Sequence, residues 1–175
     1  MTLYNKLILE DNGSTLLKLL WKSANRLKHK IFSWLMFQNR INTRSLLQRK
    51  GMHLGNYDCV CCRSKAPETP LHLFWDCTFA HSRWVTLFPF KQRGTSIYED
   101  TFLALEHAPQ HFGIEIITLG YWHIWNQRNG KIFRNERPTI QGWRRNLKSD
   151  LLFLQYRIKN KFKNVLLDWI TVNLD

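Results

Sequence analysis

Apolar residues recur at three- and four-residue spacing along much of the chain, a pattern that is typical of amphipathic helices. A first helix can begin at Ser14 or Thr15, because either hydroxyl can cap it. Its apolar stripe is Leu17, Leu20, Ala24, Leu27, Ile31 and Leu35. We expect this stripe to face the core. Four cations lie four residues apart on another face of the same helix and form a basic ridge: Lys18, Lys22, Arg26 and Lys30.

Shorter helices are predicted next, from their capping residues. Thr43 can cap a helix over residues 44–50 that stops at Gly51. Thr69 and Pro70 form a good helix start, because a proline in the first turn loses no intrahelical hydrogen bond. Residues 88–94, which include Pro89, are predicted to be a connector, and residues 102–105 a short helix.

The C-terminal part of the chain carries the clearest helical periodicity. Residues 114–133 place their large apolar side chains close to helical spacing. Beyond Gly142 an uninterrupted stripe predicts one long amphipathic helix: Trp143, Leu147, Leu151, Leu154, Ile158, Phe162, Val165 and Trp169. We expect this helix to pack against the segment around Trp122, and the alternative is that it is offered to a protein partner.

Composition indicates a folded intracellular protein. The 175 residues are 44% hydrophobic, which is too apolar for a disordered tail, yet no apolar run is long enough to cross a bilayer. Acidic residues appear at Glu10 and Asp11, before any apolar stretch of signal-peptide length develops. We therefore expect a protein that is neither secreted nor transmembrane, with the nucleus among its candidate locations.

The positive charge is concentrated in two stretches. The net charge is +13, and residues 12–57 contain nine Lys and Arg and no acidic residue. In residues 128–163, eleven Lys and Arg face only Glu136 and Asp150. Such stretches favour an acidic partner, with RNA or DNA ahead of an anionic membrane. The residues expected to contact nucleic acid are Lys18, Lys22, Arg26, Lys30, Arg40 and Arg44.

All four cysteines of the chain lie between positions 59 and 77. In a reducing compartment this clustering favours a metal site over disulfides. Cys59 and Cys62 are separated by two residues in a tight turn, and a helix that carries His72 and then Cys77 can complete a tetrahedron. These four residues predict one structural zinc ion without an open coordination position. Three alternatives stay open at this stage: Cys61 in place of Cys62, and His53 or His81 in place of His72.

The order of these motifs resembles the zinc-binding region downstream of the reverse transcriptase in plant LINE-type, non-LTR retrotransposons. The resemblance covers residues 16–87 and is carried by Trp21-Lys22, Lys30 to Leu35, Asn39 to Thr43, Cys59-x-x-Cys62, Glu68-Thr69, His72-Leu73-Phe74, Cys77 and Trp84. It implies that the CCHC set binds zinc and that Glu68 and Thr69 open the turn into the His-bearing helix. The later Trp122-x-x-Trp125-x-x-Arg128-Asn129 and Phe133 also resemble a segment that follows in such reading frames. The family often has a proline where this chain reads Ala24-Asn25-Arg26-Leu27.

Together these observations predict a mainly α protein in which a small irregular CCHC zinc module is embedded between helices and followed by an amphipathic helical C-terminal segment. The expected domains are an N-terminal remnant (1–14), the reverse transcriptase zinc-binding domain (15–88), a linker with a short helix (89–111) and the C-terminal helical segment (112–175).

Catalysis is not expected, because the carboxylates are scattered instead of clustered for paired metal ions. Tyr98-Glu99-Asp100 is the nearest approach to a polymerase-like acidic pair, and it is interpreted as a helix start or a loop. Nucleic-acid binding is the preferred function, with exposed aromatics such as Trp75 as candidate stacking surfaces. For Trp75 and Trp84, core packing around the zinc turn is the favoured expectation, because large aromatics are mostly buried. The alternatives are a structural or protein-interaction zinc module that uses the C-terminal helix, and a retroelement relic without a selected function.

Overall fold

The computed structural model describes residues 12–88 and 94–174 of the chain. Within these ranges the helices are α1 (Asn12–Lys22), α2 (Leu27–Phe37), α3 (Arg44–Arg49), a π-helix (His72–Asp76), α4 (Thr78–Trp84), α5 (Ile97–His107), α6 (Gly113–Arg134), α7 (Ile140–Leu154), a 3₁₀ turn (Asn160–Phe162) and α8 (Lys163–Leu174). The predicted N-terminal remnant before residue 12, and most of the predicted connector around Pro89, lie outside the described residues.

The single first helix predicted from periodicity is wrong, because the chain turns between α1 and α2. A buried carboxylate of Glu115 accepts a hydrogen bond from the Ala24 N–H at 2.7 Å, and Arg157 Nε donates to the Ala24 carbonyl at 2.7 Å. Both backbone groups of Ala24 are thus satisfied outside a helix, without the proline of the similar family. The predicted stripe is broken as well, since Leu27 and Ile31 are exposed and α2 instead buries Phe32 and Met36 among others.

The predicted short helices are present with their caps. The Thr43 hydroxyl accepts a hydrogen bond from the Leu46 N–H at the start of α3, and Gly51 follows that helix with a φ of 75°. The segment of Tyr98-Glu99-Asp100 lies in the first turn of α5, where the Ser96 hydroxyl accepts from the Glu99 N–H. This confirms its interpretation as a helix start.

The 22-residue helix α6 is the central element of the described fold. It packs against α2, α5 and α7, and its middle buries nearly every side chain from residue 115 to residue 121. A Cβ on Gly120 would lie 2.4 Å from a ring carbon of Trp84. The absence of a side chain there therefore lets α6 approach the aromatic core around Trp84 closely.

The predicted long C-terminal helix is also wrong, because the chain leaves the helical path after Leu154 and returns as α8. The two helices pack against each other, and the Arg144 guanidinium near the start of α7 donates to the Asn173 carbonyl near the end of α8. One straight helix would leave its second half without a core to bury against, whereas the turn buries Leu166 and Ile170. The expected packing of the first half against α6 is present, since Trp143 Nε1 donates to the Gly120 carbonyl.

An aromatic cluster joins the cysteine region to the C-terminal helices. The rings of Trp75 and Trp84 stack with centroids 4.9 Å apart. Trp84 also makes T-shaped ring contacts with Tyr121 on α6 and Trp143 on α7. The predicted fold class is confirmed: 66% of the described residues are helical, and a Cys/His cluster lies between helices. Within the described ranges no strand forms, and no helix is long and apolar enough to cross a membrane.

Candidate metal centre

The cysteine loop is held in a tight antiparallel turn. Asp58 and Pro67 form an isolated bridge, and the Cys59 N–H donates to the Ala66 carbonyl at 2.8 Å. From outside the turn, the Arg44 guanidinium donates to the carbonyls of Asn56 and Asp58 at 3.0 and 3.2 Å. Arg44 is therefore half-buried and fixes the entrance of the loop that carries the first two cysteines.

The second pair of candidate ligands lies on one widened helical turn. The Thr69 hydroxyl accepts from the His72 N–H at 3.0 Å, which confirms the predicted start at Thr69 and Pro70. The Cys77 N–H then donates to the His72 carbonyl at 2.8 Å, five residues back. On a regular α-helix, residues five apart differ in direction by about 140°. The π-type turn brings the two residues onto the same side, which is why their ligand atoms meet.

The four predicted ligands come together. One ligand atom from each of Cys59, Cys62, His72 and Cys77 lies within 4.8 Å of every other. The Cys59 and Cys77 sulfurs are 3.8 Å apart, which excludes a disulfide and matches the separation of about 3.8 Å for thiolates about 2.3 Å from one tetrahedral zinc ion. The Cys62 sulfur lies 3.3 Å from His72 Nε2, close to the tetrahedral value of about 3.6 Å.

Without a cation the thiols of this cluster cannot all ionise. Hydrogen bonds from Cys61 and Cys77 lower the pKa of the Cys59 thiol far below its usual range. A hydrogen bond to Cys59 and burial raise the pKa of the Cys77 thiol. One thiolate therefore suppresses ionisation of its neighbour, and a divalent metal ion is the group that relieves this repulsion.

The competing ligands are not part of the four-residue group. The Cys61 N–H donates to the Cys59 sulfur at 3.4 Å, so this residue supports the turn. His53 and His81 are exposed. Of the other histidines, His29 and His123 are buried in helix packing, and His107 and His111 are exposed.

A buried ion pair that the sequence did not predict ties the metal centre to α6. Both carboxylate oxygens of Glu68 accept hydrogen bonds from the Arg128 guanidinium, and one of them also accepts from the Arg44 N–H at 3.0 Å. Glu68 is fully buried and Arg128 nearly so. Arg128 was counted in the second basic stretch of the sequence, but its charge is buried and does not contribute to the positive surface. The only signal was that both residues lie in the motifs that resemble the same family.

Most of the cations expected to contact nucleic acid are exposed, although they do not form one ridge. Lys18 and Lys22 lie on α1, Arg26 lies in the turn before α2, and Arg40 follows α2. Lys30 is half-buried and donates to the Trp21 carbonyl at 2.9 Å. The break between α1 and α2 thus divides the predicted ridge.

Trp75 does not offer a stacking surface, because it is buried against Trp84 and Tyr121. Core packing, the expectation favoured for Trp75, is confirmed, and the alternative of an exposed stacking ring is wrong. The exposed aromatic side chains among the described residues are instead Trp21, Phe133, Phe153 and Tyr156.

Fold and site together define a mainly helical protein built around a Cys₃His metal centre. Residues 1–84, slightly less than half of the chain, match the family model described as zinc-binding in reverse transcriptase. That family is a zinc-binding domain and not the catalytic reverse transcriptase domain. No curated protein and no solved structure matches the chain. The donor set and the family match agree on zinc as the cofactor.

Proposed function

We propose that this chain is a non-catalytic module in which one structural zinc ion, held by Cys59, Cys62, His72 and Cys77, organises a surface that binds RNA or DNA. In this proposal the module derives from the region downstream of the reverse transcriptase of a plant LINE-type retrotransposon. It acts inside the cell, with the nucleus as its candidate location, and residues 15–88 and 112–175 are its two functional parts.

The observation that carries the nucleic-acid proposal is the unopposed charge around the first three helices. No acidic residue occurs in residues 12–57, and seven basic side chains of α1, α2, α3 and the turns that follow them are exposed: Lys18, Lys22, Arg26, Lys28, Arg40, Arg49 and Lys50. Phosphate groups are the commonest polyanionic partners of such a surface.

The donor set supports a structural role for the ion. Four protein ligands complete a tetrahedral zinc shell, so that no position is left for a catalytic water. When bound, the ion supplies charge that holds several thiolates together. The chain's own residues position the ligands: the bridge of Asp58 and Pro67 holds Cys59 in place, and Glu68 connects the centre to Arg128 on α6.

The test is a fluorescence-anisotropy titration of the zinc-loaded chain against single-stranded RNA, single-stranded DNA and duplex DNA at several salt concentrations. We expect affinity to fall with salt by roughly one log–log unit per phosphate contact, and chelation of zinc to abolish binding. An absence of binding to all three nucleic acids at low salt contradicts the proposal.

A protein-interaction module is the second candidate, because a groove of about 650 Å³ lies between α1, α5 and the start of α6. Its walls include Leu19, which is exposed, and Leu105. The C-terminal stripe is a weaker candidate surface than the sequence indicated, since Leu154 is buried. This candidate predicts that Leu19→Lys keeps nucleic-acid binding but no longer binds a purified partner protein. A relic without a selected function is the remaining alternative.

A further inference from the structure

We propose that the notch between the α1–α2 turn and the C-terminal end of α7 binds one phosphate group of a single-stranded RNA or DNA chain, and that Phe153 beside it stacks on a base. This inference deepens the nucleic-acid function proposed above and rests on it. It assigns a role to residues from both ends of the chain, the second of which lies beyond the family match.

The notch is a small cavity that is open to solvent on one side. Its lining includes Asn25, Arg26 and His29 from the turn and α2, and Phe153 and Arg157 from the end of α7 and the turn after it. The cavity volume is about 10 Å³, which is room for one atom of the size of a water oxygen. A phosphate group at the surface can therefore insert one oxygen, whereas an enclosed anion does not fit.

Two buried side chains in the notch have polar atoms without a hydrogen-bond partner. Asn25 is 2% exposed and its Nδ2 has no partner, and His29 is 1% exposed and neither ring nitrogen has one. Buried polar atoms are nearly always satisfied, so each of these calls for a ligand or a water. Asn25 Nδ2 is a donor, and a neutral imidazole provides one more, which suits an anionic oxygen.

The same notch receives the N-terminus of α2. This helix has eleven residues, its N-cap position is Arg26, no side chain caps it, and its first turn contains no acidic residue. The first N–H groups of a helix and its dipole attract anions. Together with the unpartnered Asn25 and His29, the uncapped terminus indicates a phosphate group.

The charge around the notch favours an anion despite one carboxylate. Arg157 is fixed at the mouth by its hydrogen bond to the Ala24 carbonyl, and the Arg26 guanidinium lies 5.4 Å from the centre of the Phe153 ring. Asp150 also lines the cavity, but its carboxylate is 2.9 Å from His123 Nε2. Two guanidinium groups therefore face one carboxylate that already has a partner.

The aromatic side chains beside the notch point to a nucleic-acid strand instead of a free phosphate ion. Phe153 is 53% exposed and Tyr156, one turn further along, is 76% exposed. An exposed ring next to guanidinium groups is the arrangement by which single strands are bound without sequence preference, since every base can stack. A free phosphate ion gains nothing from these rings.

The first experiment is an anisotropy titration of the zinc-loaded full chain with a labelled ten-nucleotide oligouridine. Arg157→Gln and Arg26→Gln should each weaken binding several-fold and lower the log–log salt slope by about one. Phe153→Ala should weaken binding about tenfold, a typical loss for one stacked base, with the slope unchanged. Arg145→Gln removes the same charge from an exposed site on α7 and serves as the matched control.

The outcomes separate this inference from the function on which it rests. If the wild-type chain binds but Arg157→Gln, Arg26→Gln and Phe153→Ala behave like Arg145→Gln, the notch is not the site, and the proposed function stands. If the wild-type chain binds duplex DNA but neither oligouridine nor single-stranded DNA, the inference about the notch fails and the proposed function stands. If it binds none of the three nucleic acids, both proposals fail.

A second experiment locates the anion directly and uses only the wild-type chain, so it does not require that a variant folds. The ¹⁵N spectrum of the full chain is followed during titration with inorganic phosphate, uridine monophosphate and oligouridine. We expect the backbone signals of Leu27 and Lys28 and the side-chain amide of Asn25 to shift with oligouridine at the lowest concentration. Equal or stronger responses to inorganic phosphate alone contradict a strand site, and an unchanged Asn25 signal contradicts the notch.

Discussion

Among single residues, Cys59 and Cys61 offer the sharpest contrast in the metal centre. Cys59 belongs to the four-residue group, whereas Cys61 lies beside it and donates its N–H to the Cys59 sulfur. Serine at either position keeps nearly the same size, so the pair separates a ligand from a neighbour.

We expect Cys59→Ser to lose zinc and Cys61→Ser to keep about one ion per chain. Structural zinc contributes on the order of 10 kcal/mol to the folding of small metal modules, so the first variant should also unfold at a clearly lower temperature. Metal analysis of the purified chains and thermal unfolding provide the two readouts. Equal zinc content in the two variants would show that the ligand set is wrong.

The buried imidazole of His29 should make stability depend on pH. Burial lowers the pKa of His29 to about 4, with Lys28, His123 and Arg26 adding to the effect and Asp150 opposing it. In the unfolded chain the pKa returns to about 6.5, so the unfolded state binds more protons between these values. Stability is therefore complete above about pH 6.5 and falls as the pH drops towards 4.

The measurement is urea unfolding of wild type and His29→Phe across this range, since both share the same metal centre and only one contains the titrating group. We expect the wild type to lose about 3 kcal/mol relative to His29→Phe between pH 7 and pH 4. A constant difference between the two chains over that range contradicts a buried, neutral His29.

Among single residues, the sequence predicted the side chains that form the candidate metal centre, but not the side chains that hold them in place. The four candidate ligands that the structure brings together could be picked out because cysteine spacing and side-chain type limit the choices locally. The partner of Glu68 is Arg128, 60 positions away, and nothing local to either residue selects the other. Trp75 could be assigned to the core only from the general tendency of large aromatics to be buried.

The helices as elements depend on close contacts that sequence periodicity does not reveal. Gly120 is the clearest instance, because a Cβ there would meet the Trp84 ring. We expect Gly120→Ala to destabilise the fold by about 1–3 kcal/mol, since overpacking outweighs the gain in helix propensity of about 1 kcal/mol.

Gly55→Ala is the control for this substitution, because a Cβ at that position would meet nothing within 4 Å. Its free energy of unfolding, measured in urea, should stay within about 0.5 kcal/mol of that of the wild type. A Gly120→Ala chain as stable as Gly55→Ala would mean that α6 does not approach Trp84 as described.

Helix content was predictable in this chain, whereas helix continuity was not. Apolar spacing correctly placed helical segments around Leu20, Trp122 and Leu147, because each has an apolar side to bury. The same spacing continued through both breaks, at residues 23–26 and 155–159. Those breaks are set by distant partners, among them Glu115 and Arg157 at Ala24, and by the need of α8 to find a core.

In the whole molecule, the ion pair of Glu68 and Arg128 joins the part that matches the zinc-binding family to the C-terminal helices. Removal of one partner leaves a buried charge without compensation. We expect Arg128→Met to cost about 3–5 kcal/mol, and the double variant with Glu68→Gln to recover a large part of that loss. Chemical unfolding of the four chains of this cycle measures the coupling, and additive losses would contradict a direct pair.

The four-ligand zinc centre is the feature on which the whole account depends, and X-ray absorption at the zinc edge of the metal-loaded chain tests it most directly. We expect three sulfur ligands at about 2.3 Å and one nitrogen at about 2.0–2.1 Å, with no bound water. A shell with two sulfurs and additional nitrogen or oxygen ligands, or with four sulfurs, would contradict the assignment of Cys59, Cys62, His72 and Cys77.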